Sequence, residues 1–170
     1  MSLIKASFTV HRAKAYAGMI ADTSLYNIDG VCAAGVDKLK TGLIVALDPS
    51  GDTLDGYKVV TNVINTANPN IVGVTVMSHS YSPDGTYELG CATNVMTNGR
   101  AWVLCEKSFP AAGYAFNKQV KITNAGVVSN SGAIGTVYTT TGEWLKTDHP
   151  DYDIIKIQVT QAQFQLPATP

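Results

Sequence analysis

The chain has 170 residues, a mass of 18.0 kDa, a net charge of −1 and only 15% charged side chains. This length suffices for one domain that buries roughly 70% of its unfolded surface, so folding needs neither a metal nor a disulfide. Nucleic-acid binders usually carry a basic excess rich in arginine, whereas this chain has only Arg12 and Arg100. The composition therefore argues against a nucleic-acid partner.

The cysteines and the apolar runs indicate the compartment. Cys32, Cys91 and Cys105 are an odd number without a Cys-x-x-Cys pair, which predicts free, buried thiols and disfavours a disulfide scaffold or a zinc ribbon. The N-terminus lacks the apolar core of a signal peptide, and no apolar run approaches the roughly 20 residues of a membrane span. We expect a soluble protein without a membrane partner, made in a cytoplasm-like compartment.

The first 30 residues predict an extended arm. A short helical pattern around Ala13 to Ala21 is interrupted by Gly18, and no apolar stripe develops. The arm nevertheless carries five apolar anchors that must be buried on the chain's own barrel or on a neighbour: Phe8, Tyr16, Met19, Ile20 and Tyr26. A first strand plus loop of the same domain is the alternative.

Beyond Gly30 short strand patterns recur between turn signals. Leu43 to Leu47 is apolar on both faces, which predicts a central strand. Gly73, within the strand pattern 71–76, indicates a bulge or a close backbone approach. Further strands are expected at 58–63, at 86–89 and at 154–160, the last as an edge or half-exposed strand, while 132–141 is interpreted as a connection.

The segment from Asn98 to Asn130 predicts a compact β unit. Asn98-Gly99 is interpreted as a tight turn before a strand at 101–105. Lys118 to Ile122, a turn, and Val127 to Ser129 predict a hairpin. If the hairpin packs on the preceding strand, four side chains are expected to share a face: Trp102, Leu104, Val120 and Ile122.

Turn signals about every ten residues, with no long amphipathic window, favour an all-β protein. We predict a small β-barrel or a jelly-roll-like sandwich with an extended N-terminal arm. The expected organisation is an arm at 1–30, a β domain at 31–160 and a C-terminal extension at 161–170.

No constellation of residues predicts catalysis. Cys105 lies in an apolar strand, where a thiol is usually a small buried hydrophobe, and a loop with one imidazole, His149, among aspartates is an ordinary solvated loop. We therefore expect no enzyme, no metal and no cofactor. Trp102 is expected in the core, and Trp144, in a short segment between turns, is the better candidate for a surface anchor.

The order of several short segments is similar to that of a known family. These segments are 15–22, 42–46, 71–74, 99–103, 112–113, 124–128, 142–147 and 155–159, and together they run over nearly the whole chain. In this order they resemble the cement, or decoration, proteins of tailed-bacteriophage capsids.

The resemblance implies a β-rich structural protein without catalytic residues. Such a protein would bind the outer face of an icosahedral head, bridge capsomers of the major capsid protein and stabilise the shell in a virion assembled in the host cytoplasm. Contacts with other copies of itself, as a dimer or a trimer, are also implied. The competing hypothesis is a carbohydrate- or receptor-binding β-sandwich module of a phage tail or surface appendage.

Overall fold

The regular structure consists of β-strands throughout the residues described by the computed structural model, which are 15–22, 25–51, 53–79, 83–109 and 115–161. The strands are β1 (Asn27–Ala34), β2 (Leu39–Lys40), β3 (Ile44–Leu47), β4 (Thr53–Leu54), β5 (Tyr57–Thr61), β6 (Ile71–Thr75), β7 (Thr86–Tyr87), β8 (Ala92–Glu106), β9 (Gln119–Ile122), β10 (Ile134–Leu145) and β11 (Tyr152–Val159). The predicted all-β class is confirmed. In the described part of the chain, no helix is long and apolar enough to span a membrane.

A closed barrel forms one half of the nine-stranded sheet. Its strands follow the order β1-β5-β3-β6-β8, and β8 pairs again with β1 to close the ring. All neighbours in the ring are antiparallel except β1 and β5, which are parallel. β4 pairs with β5 outside the ring, and β2 and β7 form a separate two-stranded sheet. The barrel prediction is therefore confirmed.

The sheet continues beyond the barrel and returns to β8. Here the order is β8-β11-β10-β9, and the residue that joins β9 back to β8 is Val128. Val128 bridges Ile122 of β9 and Cys105 of β8, and its amide donates to the Leu104 carbonyl at 3.0 Å. This connection leaves little open sheet edge on β9, which limits strand-to-strand association with another chain.

β8 is the common wall of two hydrophobic clusters because its side chains alternate between two faces. Ala101, Val103 and Cys105 belong to the larger cluster, which also includes most of the buried side chains of β10 and β11. Trp102 and Leu104 belong to the second cluster, with buried side chains of β1, β3 and β5. The predicted core position of Trp102 is confirmed.

This alternation corrects the predicted packing of the hairpin. The hairpin itself is confirmed, since β9 is followed by a turn and by the bridge from Ile122 to Val128. However, Val120 and Ile122 lie in the larger cluster, on the opposite face of β8 from Trp102 and Leu104. The error arises because the hairpin contacts β8 through Val128, beside Cys105, and not beside Trp102.

Two other predictions about single segments are wrong. Asn98-Gly99 is not a turn but lies within β8, where Gly99 has a φ of +122° and a methyl group would stand 2.6 Å from Tyr26 Cβ. Residues 132–141 are not a connection, because β10 occupies most of them. One face of β11 is partly buried and the other is buried, but the strand pairs on both sides and is not an edge strand.

Glycine at two positions permits contacts between strands that no side chain would allow. A methyl group on Gly73 would lie 2.1 Å from the Met96 carbonyl oxygen, so the predicted close approach of β6 is confirmed. A methyl group on Gly126 would lie 2.0 Å from the Ile44 carbonyl oxygen. β3 between β5 and β6 is fully buried along most of its length, as predicted for a central strand.

Candidate partner-binding surface

Residues 15–22, from the predicted arm, lie along the C-terminal half of β8. The Gly18 amide donates to the Trp102 carbonyl at 2.7 Å, the Trp102 amide donates to the Met19 carbonyl at 3.0 Å, and the Ala21 amide donates to the Arg100 carbonyl at 2.8 Å. We call residues 15–22 the docked segment. It satisfies backbone groups of β8 that would otherwise lack a partner in the sheet.

The other side of the docked segment contacts the start of β3 and the end of β6. The Met77 amide donates to the Gly18 carbonyl at 2.9 Å, and the Thr41 hydroxyl donates to the Ala17 carbonyl at 3.1 Å. Gly18 and Gly42 each have a φ of +78°, and a methyl group on Gly18 would lie 2.7 Å from Thr41 Cβ. Two glycines thus let the docked segment cross the start of β3 at backbone distance.

An ion pair holds the end of the docked segment. Arg100 Nη1 lies 3.1 Å from a carboxylate oxygen of Asp22, and Arg100 Nε donates to Gln158 Oε1 at 3.0 Å. Both charged side chains are partly exposed, so the pair contributes little net stability. It links the end of the docked segment to a side chain of β8.

The structure separates the predicted partner-binding residues into two groups. Tyr16, Met19 and Tyr26 are exposed, at 59%, 37% and 47% respectively. Ile20, which bridges Ala101, and Trp144 are half-buried against the larger cluster. Phe8 lies outside the described residues. Alternation along an extended segment explains the split between Met19 and Ile20, because neighbouring side chains point to opposite faces.

A groove of about 450 Å³ adjoins Tyr16. Its wall includes Lys40, Met77, His149 and Tyr152, with Lys40 Nζ 4.8 Å from the centre of the Tyr152 ring. The rings of His149 and Tyr152 lie 5.0 Å apart. A neighbouring cavity of about 370 Å³ shares Tyr16, His149 and Tyr152. The groove therefore offers aromatic faces beside one cation.

These groove residues were not found from the sequence. Lys40 lies in β2 and Met77 lies just after β6, far from Tyr16 in the chain. No local pattern links them. The path of the docked segment, which Gly18 and Gly42 permit, brings Tyr16 close to Lys40 and Met77.

The loop that carries His149 is anchored by a buried carboxylate. Asp153 is 2% exposed, accepts from Lys107 Nζ at 2.8 Å and accepts from the Thr147 amide at 2.8 Å. The loop was expected to be solvated, but Asp153 is buried and has a structural role. Among the described residues no group of three metal-ligating side chains is present.

The closed ring of strands defines an all-β barrel protein, and a comparison with solved structures supports this fold class. One solved structure with a similar fold is named "The capsid of Myoviridae Phage XM1"; the TM-score is 0.54 at 18% identity, over 94% of this chain and 98% of that one. At this identity the likeness establishes the fold alone. No curated protein matches the chain.

Sequence comparison identifies the family. The family model described as "Structural cement protein (E217 gp24/Pam3 gp6)" matches residues 4–160. The chain therefore belongs to this phage structural cement protein family, and the predicted resemblance is confirmed. The family is one of structural proteins and not a class of enzymes.

Proposed function

We propose that this protein is a capsid decoration protein that binds the outer surface of an icosahedral phage head. In this role it contacts the major capsid protein of adjacent capsomers and stabilises the shell of a virion assembled in the host cytoplasm. The observation that carries the proposal is the family match over residues 4–160. We also propose that the protein has no catalytic activity and binds neither nucleic acid nor membranes.

The exposed part of the docked segment supports the proposal. Tyr16 and Met19 are carried on a backbone that is hydrogen-bonded on both sides, so their positions are fixed before a partner arrives. Contact residues that are already ordered lose less conformational entropy on binding. We infer that Tyr16, Met19 and Tyr26 contact the shell, whereas Ile20 and Trp144 support them from within. Phe8 remains a candidate contact.

Binding to shells that lack the protein tests this function. Expanded capsids would be mixed with purified protein and sedimented, and the bound protein would be measured over a range of concentrations. We expect saturable binding at a fixed ratio to the major capsid protein, and a higher temperature of shell disruption. The bound particles, imaged by cryo-electron microscopy, would also show whether the copies form dimers or trimers.

A variant of the docked segment localises the contact. Tyr16→Ala and Met19→Ala remove exposed side chains without touching the backbone ladder, so the free protein should melt as before while shell binding weakens. Val137→Ala is a matched control, since Val137 is 60% exposed on β10, away from the docked segment. Absence of shell binding by the unmodified protein, with saturable signals on a glycan array, would instead favour the carbohydrate-binding hypothesis.

A further inference from the structure

The first part of β10 extends beyond its partner strand β11. Thr139 pairs with Gln158, and β11 ends one residue later, at Val159. Residues 134–137 of β10 therefore lie past the end of β11, although their other side adjoins β9. Among the described residues, no strand pairs with this part of β10 on the β11 side. We call residues 134–137 the β10 edge.

Two residues of the β10 edge direct their backbone groups away from β9. The Thr140 amide donates to the Lys118 carbonyl, so Thr140 points towards β9. Successive residues of a strand point their backbone groups to alternate sides, which directs those of Val137 and Gly135 towards the β11 side. Side-chain burial alternates without a break along this part of β10, so the backbone stays extended through the bulge that it forms against β9. Gly135 and Val137 therefore present an open sheet edge.

The chain itself continues from β11 in the direction of this edge. If the register of β10 and β11 continued, Thr160 would lie level with Val137, and Ala162 would lie level with Gly135. Ala162 directly follows Gln161, the last residue of the described part of the chain. A strand that simply continues needs no connecting loop, so its pairing costs no loop-closure entropy. The residues that follow β11 are therefore the favoured occupant of the edge.

The sequence after β11 suits such a strand. Residues 161–166 read Gln-Ala-Gln-Phe-Gln-Leu, an alternation of polar and apolar side chains, and glycine and proline are absent from them until Pro167 follows. Residues 161–166 lie beyond the region that the family model matches, which ends at residue 160. The family match thus carries no information about this strand.

The side chains on the outer face of the edge are complementary to this sequence. Val137 is 60% exposed, and Gly135 has no side chain to cover the backbone beside it. In the continued register Ala162 and Phe164 lie on the same face, with Phe164 diagonal to Gly135. An aromatic ring beside a strand glycine covers exposed backbone, and here it would also shield Val137. The alternate residues are glutamines, and the first of them, Gln161, is exposed, so this end of the inner face is open to water.

We propose that residues 161–165 bind the β10 edge of their own chain as a continuation of β11. Ala162 then exchanges backbone hydrogen bonds with Gly135, and Thr160 exchanges them with Val137. The contact covers an edge that would otherwise associate with strands of other molecules. It does not depend on the capsid function proposed above.

Hydrogen exchange of single amides, measured by NMR, tests this contact in the full chain. The Thr139 amide, in the residue paired with Gln158, provides an internal reference for a protected position. We expect the Gly135 amide to exchange at least about a hundredfold more slowly than in an unfolded peptide, as other paired amides do. Exchange at the rate of an unfolded peptide would show that the edge is open and would overturn the proposal.

Two proline variants form a matched pair. In the proposed strand the amide of residue 162 points towards Gly135, whereas the amide of residue 163 points to solvent, where an edge strand tolerates proline. We expect Ala162→Pro to speed exchange at Gly135 at least about tenfold and Gln163→Pro to leave it slow. Thermal unfolding and the Thr139 amide establish that both variants are folded. Equal exchange at Gly135 in the two variants would refute the register.

Dilution identifies the molecule that supplies the strand. Pairing within one chain gives protection at Gly135 that is independent of protein concentration. Ala162→Pro should also increase self-association in light scattering, because it opens the edge. If the protection at Gly135 in the unmodified protein falls on dilution, the strand comes from another copy, and the assignment to the same chain is overturned.

Discussion

Gly18 and Gly42 lie backbone against backbone where the docked segment crosses the start of β3. A methyl group on Gly42 would stand 2.8 Å from the Gly18 amide nitrogen and 2.9 Å from Ala17 Cβ, and both glycines have positive φ. The Gly42 amide donates to the Thr75 carbonyl at 2.7 Å, so this residue cannot retreat without breaking a bond to β6. The crossing links the N-terminal part of the chain to the barrel.

Gly42→Ala should therefore destabilise the protein more than an alanine at an uncrowded glycine. Gly51 provides the control, since its φ is +70° and no atom lies within 4 Å of the added methyl group. We expect Gly51→Ala to cost about 1 kcal/mol for the left-handed backbone, and Gly42→Ala about 2 kcal/mol more for crowding. Urea unfolding measures both. Equal losses would show that the crossing tolerates a methyl group.

Two truncations test whether the docked segment stabilises the barrel. Removal of residues 2–22 deletes three backbone hydrogen bonds to Arg100 and Trp102 and uncovers part of β8, whereas removal of residues 2–14 leaves them in place. We expect the longer deletion to lower the thermal midpoint and to promote aggregation through the uncovered strand edge. The shorter deletion should leave the midpoint close to that of the full chain.

The same two truncations also test the predicted arm. We expect the 2–14 deletion to weaken shell binding if Phe8 is a contact, although the barrel stays folded. A 2–22 deletion that melts like the full chain would mean that the docked segment adds nothing to the fold. The domain boundaries at 30 and 160 remain a prediction. β1 begins at Asn27, a few residues before the first of these boundaries.

Strands rich in β-branched apolar residues could be predicted from the sequence, as β3 and β6 were. β10 could not, because its buried positions include threonines: Thr136 and Thr140 are buried through hydrogen bonds to the Val120 carbonyl and to backbone of the 115–118 loop. A threonine that finds such a partner behaves as a core residue, and only the tertiary structure reveals the partner. The predicted turn at Asn98-Gly99 was wrong for a related reason, because Gly99 adopts its positive φ inside a strand.

The exposed apolar residues could also be predicted only in part from the sequence. Tyr16, Met19 and Tyr26 were predicted as apolar anchors because they lie in a segment without a regular period, although the sequence left open whether the barrel or a neighbour covers them. The exposure of Val31, Leu54 and Leu89 was not predicted, because each is an isolated apolar residue in the sequence. Which apolar residues of a β protein face outward depends on the register, which the sequence pattern leaves open.

Removal of Lys107 should cost more stability than removal of an exposed ion-pair partner. Lys107→Met leaves the Asp153 carboxylate in a site that is 2% exposed, with the Thr147 amide as a remaining donor. We expect a loss of about 2 kcal/mol, because a buried carboxylate loses one of its hydrogen-bond donors although the lysine itself is partly exposed. Asp22→Asn, in the exposed pair with Arg100, should cost less than about 1 kcal/mol. Similar losses in urea unfolding would mean that Asp153 is solvated.

The Asp29–Lys58 pair makes a pH-dependent contribution. The hydrogen bond from Lys58 holds the pKa of Asp29 below its usual value of 3.8, although desolvation opposes the effect. Because the folded-state pKa is the lower one, the stabilisation is present above the unfolded pKa and is lost as pH falls through the folded value. Asp29→Asn should therefore lower stability at neutral pH slightly and leave it unchanged in strong acid, below both pKa values. Carboxyl NMR titration provides the direct check, and a midpoint at or above 3.8 would contradict the pairing.

The three thiols should react at very different rates in the folded protein. Burial raises the pKa of Cys32 to about 11 and that of Cys105 to about 12, and both side chains are fully buried, whereas Cys91 is half-exposed. Alkylation requires the thiolate, so at about pH 8 we expect one group to react rapidly in the native protein and all three after denaturation. Cys91→Ser should abolish the rapid reaction and leave the two slow groups. Rapid modification of two or three thiols without denaturant would mean that the clusters on either side of β8 open to solvent.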